Sequence, residues 1–101
     1  MNTARIPAEG TVKVTWVDSG GGHRQVLGRS LNISEGGLGM ELPESIPSGI
    51  AVRVTGRTPG LDARAKVRHS EGAVGKYFVG VQFLDGKRWN HALGIMVRED
   101  W

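Results

Sequence analysis

Between Thr11 and Val17 apolar and polar side chains alternate one for one: Val12, Val14 and Trp16 share one face, Thr11, Lys13 and Thr15 the other. A period of two marks a strand with one buried side. Asp18 and Ser19 with Gly20, Gly21 and Gly22 supply residues suited to a reversal, so residues 25–31 return as the hairpin partner. Leu38, Met40 and Leu42 alternate with Gly39 and Glu41 in a third strand that Pro43 stops, and residues 50–54 form a fourth. After the breaker Thr58-Pro59-Gly60, Leu61, Ala63, Ala65 and Val67 alternate with Asp62, Arg64, Lys66 and Arg68 in a fifth. Residues 77–83 make the sixth.

Six short strands at near-regular spacing, joined by glycine-rich turns, predict an all-β fold, a six-stranded antiparallel β-barrel. The end of the chain has a different rhythm. Trp89, Ala92 or Leu93, and Met96 recur at helical spacing, which predicts a short amphipathic α-helix over residues 88–97 lying on the barrel, with Gly94 as its weak point.

A chain of 101 residues holds one core, so residues 1–101 are expected to form a single domain. Within it, 1–10 are expected to be a flexible N-terminal segment, 11–86 the barrel and 87–101 the C-terminal helix region. The apolar residues come in short runs, none near the ~20 that a membrane-spanning helix needs. Residues 1–8 hold no apolar segment of the secretory type, which makes the cytoplasm the expected location. With no cysteine there is no disulfide, thiolate metal site or cysteine nucleophile. The net charge of +3, from 13 Lys and Arg against 10 acids, leans mildly towards anionic partners.

The segment Leu31-Asn32-Ile33-Ser34-Glu35-Gly36-Gly37-Leu38 interrupts the alternation with a polar pair and two glycines. Leu31, Ile33, Leu38, Met40 and Leu42 suit the core, and a period of two then sets Asn32 and Ser34 together on the opposite face. Asn and Ser beside Gly-Gly are ordinary turn residues that bond to nearby backbone. Glycine there also lets another group approach the backbone closely, as a planar ligand would.

Asn32-x-Ser34-x-x-Gly37 between two apolar strands resembles the second signature of PilZ domains, bacterial receptors for cyclic di-GMP. Two more stretches resemble the same family. One is the lead-in Arg5-Ile6-Pro7-Ala8-Glu9-Gly10-Thr11-Val12-Lys13-Val14. The other is the closing pair, Ala65-Lys66-Val67-Arg68-His69, a turn, and Tyr77-Phe78-Val79-Gly80-Val81-Gln82-Phe83, with its Val-Gly-Val-x-Phe ending. The resemblance implies a split-barrel fold and a nucleotide-binding module without catalysis. It also implies that cyclic di-GMP is held by Arg5, Asn32, Ser34 and Gly37. Arg5 would fold over the ligand, the Asn32 carbonyl would accept from guanine N1–H or N2–H, and Gly37 would keep the floor clear of a Cβ. An arginine fork suits both the O6/N7 edge of guanine and phosphate oxygens.

The family's first signature is arginine, three residues, arginine, and Met1 stands where the earlier arginine would be. Arg29, Arg64 and Arg68 are the candidates to replace it, with Gly36 giving room. Two readings follow from the resemblance. One is a cyclic di-GMP receptor whose N-terminal segment rearranges on binding and signals to a partner or attached domain. The other is a PilZ domain that binds no nucleotide and works through protein contacts, as in pilus or flagellar regulation.

Other chemistry finds little support. His23, His69 and His91 show no ligand spacing, so no metal is expected, nor any cofactor. No Gly-x-Ser-x-Gly elbow frames a nucleophile, and Gly20-Gly21-Gly22 lacks the Lys-Ser/Thr ending of a phosphate loop. Trp16, Phe83 and Trp89 are expected in the core, which disfavours nucleic acid as a partner.

Overall fold

A computed structural model describes residues 6–56, 60–90 and 92–98, with side chains from residue 10 onward. Six strands, β1 (Ile6–Val17), β2 (His23–Ile33), β3 (Gly37–Leu42), β4 (Ala51–Gly56), β5 (Asp62–Ala73) and β6 (Lys76–Phe83), close into a barrel in the order β1-β2-β3-β6-β5-β4. Every neighbouring pair is antiparallel.

The alternation read from the sequence becomes the inside of this barrel. Val12 and Val14, Leu38, Met40 and Leu42, Val52 and Val54, Ala63, Ala65 and Val67, and Val79 and Val81 all point inward and are buried. The valine, leucine and methionine side chains each contribute roughly 1.5–3 kcal/mol when fully withdrawn from water. Ile46, from the turn-rich connection between β3 and β4, is fully buried and adds to the same cluster. At the first reversal the Asp18 carboxylate accepts from the backbone N–H of Gly20 and Gly22, at 3.0 and 2.8 Å, which holds the turn that the glycines permit.

Three features differ from expectation. β1 begins at Ile6 rather than Thr11, because Ile6 and Pro7 pair with Ile33 and Asn32 of β2. Part of the N-terminal segment is therefore strand. Leu31 is half-buried and not a core residue, while Ser30 takes the inward position before it.

The third difference is at the C-terminus, where the expected helix is replaced by a hairpin of β7 (Lys87–Asn90) and β8 (Ile95–Arg98). No helix occurs among the described residues. Trp89 and Met96, seven apart, share a helix face but are also direct partners across this hairpin, and both are buried. The tie is broken locally: Gly94 sits at φ 66°, its N–H bonds to the Asn90 carbonyl, and the Asn90 side chain accepts from Leu93 N–H at 2.9 Å. A glycine in that conformation ends a helix but fits a tight turn.

Candidate nucleotide-binding site

The inner face of β2 carries Val26 and Ser30, so strict alternation would turn Asn32 into the core. A buried amide there would need partners that the aliphatic interior lacks. One inserted residue prevents it. Ser30 pairs with Met40 and Asn32 with Gly39, which leaves Leu31 as the extra residue of a β-bulge. The same device operates on β5, where Ala63, Ala65 and Val67 point inward and His69 would be next. Val67 pairs with Val81 and His69 with Gly80, leaving Arg68 as the extra residue and turning His69 outward. Bulges re-aim side chains in this way beside many binding sites.

The two re-aimed residues lie on one cross-strand row. Asn32 is the partner of Gly39, Gly39 of Gly80, and Gly80 of His69. Both side chains lean over the glycines. A Cβ on Gly39 would meet the Asn32 amide, Oδ1 at 2.9 Å and Nδ2 at 3.1 Å, so the amide lies across that backbone. A Cβ on Gly80 would meet the imidazole, with Nδ1 and Nε2 both at 2.9 Å and Cε1 nearer still. The amide and the ring are thus about one strand spacing apart, ~5 Å. Above them is a pocket of about 290 Å³, also lined by Leu31 and Phe78. Phe78 is 45% exposed, an aromatic wall on the outside of the barrel. The pocket is lined by the Asn32 amide, a flat imidazole and apolar sides, a lining that suits the edge and face of a planar heterocycle.

The remaining expected residues do different things. Ser34 is buried, and its hydroxyl donates to the Gly37 carbonyl at 3.3 Å, closing its own hairpin. Gly37 lacks a side chain for the sake of β6, since a Cβ would collide with the Val81 carbonyl oxygen. Gly36 is exposed, and its carbonyl accepts from Phe83 N–H. Glu35 ties the turn to β7, accepting from Trp89 N–H and pairing with Arg88. Of the signature, then, only Asn32 lines the pocket. Arg5 lies outside the described residues.

Among the accessory arginines, Arg29 pairs with Glu41 at 3.0 Å, and Glu41 is the cross-strand partner of Phe78, which puts Arg29 near the pocket. Arg64 is paired with Asp85 at 2.9 Å, further along β5. Arg68 is the exposed bulge residue. None of the three lines the pocket. No cluster of metal-binding side chains occurs among the described residues.

The family model for the PilZ domain matches residues 2–91. The chain belongs to the PilZ domain family. No curated protein matches it. The closed six-stranded barrel agrees with the PilZ fold, and PilZ domains are in general cyclic di-GMP-binding modules, not enzymes. No helix of this PilZ domain is long and apolar enough to cross a membrane among the described residues.

His69, Phe78, Gly39 and Gly80 were not singled out as site residues from the sequence. The available signal was the outward position of two glycines, Gly39 and Gly80, in otherwise regular strands, where glycine weakens a strand unless something lies against it. Nothing local shows that an Asn and a His cover them.

Proposed function

We propose that this PilZ domain is a cytoplasmic cyclic di-GMP receptor without catalytic activity. One observation carries the reading: Pro7 pairs with Asn32, so the N-terminal lead-in and the Asn32-x-Ser34-x-x-Gly37 hairpin meet at the rim of the pocket that Asn32 lines. In this reading a guanine edge bonds to the Asn32 amide, the base lies against His69 and Phe78, and Arg5 and Arg29 face the phosphates. Ligand binding rearranges the N-terminal segment, and the changed surface is read by a partner or attached domain.

The test is a thermal-shift titration with cyclic di-GMP, GMP as control, on this chain and on a Met1→Arg version preceded by a new start methionine. Ligand at about 100 times Kd adds roughly 2.7 kcal/mol, on the order of 10 °C in Tm for a domain of this size. A shift in both chains with cyclic di-GMP alone supports the reading, and a shift only in the Met1→Arg version means a receptor scaffold that lacks its first arginine clamp. A shift in neither overturns it.

A second reading is a PilZ domain that works by protein contact without nucleotide. It is favoured by the absence of any guanidinium from the pocket lining among the described residues. The same titration separates the two.

A further inference from the structure

The ladder between β1 and β4 runs from Val12↔Gly56 to Thr15↔Arg53 and stops there. Both strands continue past that point, β1 through Trp16 and Val17 and β4 back to Val52 and Ala51. These two stretches face one another across the seam without ladder pairing, although β2 and β5 cover their far sides. The opening holds a cavity of about 750 Å³, which shares no lining residue with the Asn32 pocket.

Its floor, formed by Trp16, Val52 and Ala63, is apolar and buried, and its lip carries one large exposed apolar residue, Val17, which is 52% exposed. The rim is charged and uneven. Arg53 grips Asp62 through two hydrogen bonds of 2.9 Å, and Arg64 pairs with Asp85, so those four charges compensate each other. Lys87 and Arg98, from the β7–β8 hairpin, line the same cavity and leave an excess of positive charge.

We propose that this open seam docks an extended acidic segment of a partner protein, which adds as a short strand between β1 and β4. Unpaired strand edges template such additions, main-chain bonds supplying affinity and alternate side chains specificity. Here the alternation is set by the site: apolar residues of the segment face Trp16 and Val52, and acidic ones face Lys87 and Arg98. The surface is independent of the nucleotide pocket and stands whether or not cyclic di-GMP binds.

The probe is a fluorescein-labelled seven-residue peptide alternating Glu with Val or Ile, set against the same peptide with Lys in place of Glu. Expected are saturable binding of the acidic peptide alone and amide shift changes at Trp16, Val17, Ala51 and Val52. A Lys87→Glu, Arg98→Glu double variant, checked for unchanged Tm, should lose on the order of tenfold in affinity, whereas Asn32→Ala should lose none. No acidic binding, equal binding of the Lys peptide, or shift changes elsewhere overturns the proposal. So does probe binding only after removal of residues 99–101, Glu99-Asp100-Trp101, which would make the chain's own tail the occupant, and so does self-association through the seam at the concentrations used.

Discussion

Asn32 and His69 stand at the two ends of one row of cross-strand partners with only Gly39 and Gly80 between them, and each reaches the outer surface through a single inserted residue, Leu31 or Arg68. If the row is the base-binding edge of the PilZ site, Asn32→Ala and His69→Ala each lower cyclic di-GMP affinity. One hydrogen bond of about 0.5–1.5 kcal/mol corresponds to roughly 2- to 13-fold in Kd. Isothermal titration on both variants, with circular dichroism to verify the barrel, measures this. Unchanged affinity in both removes the row from the site.

The glycines separate geometry from chemistry. Gly80→Ala places a Cβ where the His69 ring lies, and the exposed ring swings away, so binding falls as far as in His69→Ala with little loss of stability. Gly39→Ala displaces the Asn32 amide more gently. Gly37→Ala behaves differently, because its Cβ meets the Val81 carbonyl and backbone cannot step aside. About 1–3 kcal/mol of stability is expected to be lost there. Chemical denaturation and titration run on all three variants resolve the two kinds of effect.

Ser34 is a test of what its signature position does. The hydroxyl is buried and bonded to Gly37 O, which also accepts from Ser34 N–H at 2.9 Å. Ser34→Ala therefore leaves the carbonyl satisfied and costs about 0.5–1.5 kcal/mol in urea unfolding. Loss of affinity beyond what Asn32→Ala causes would show a direct ligand contact instead.

The Arg53–Asp62 pair links stability to pH. The hydrogen bond from Arg53 holds the Asp62 carboxyl below its ordinary value and raises Arg53 further. A carboxyl with a lower pKa folded than unfolded stabilises above the unfolded value, and this contribution is lost as pH falls through the folded one. Asp62→Asn should therefore melt slightly below the parent at pH 7, the gap closing at acid pH below the ordinary carboxylate range. Both groups are exposed, so the gap is small. A gap that persists at low pH would assign it to packing.

The six barrel strands, most of their inward faces and the hairpin between β1 and β2 were legible because each rests on local alternation and local turn chemistry. Val12 to Trp16, Leu38 to Leu42 and Leu61 to Val67 needed no partner to be recognised as half-buried. The C-terminal hairpin was not legible, since Trp89 and Met96 satisfy a helix and a hairpin equally, and the tie is broken by the backbone conformation of Gly94 and the turn bonds to Asn90.

Asn32 carried a family signature in a contiguous stretch, so it could be found by reading along the chain. His69 could not: its place beside Asn32 depends on the pairing of four strands and on two bulges, and an inserted residue shows itself only against the strand it fails to match. Composition and period decide which side chains leave water. Register between strands distant in the chain decides which of the remaining polar groups meet, because that choice is made by the packing of the whole barrel.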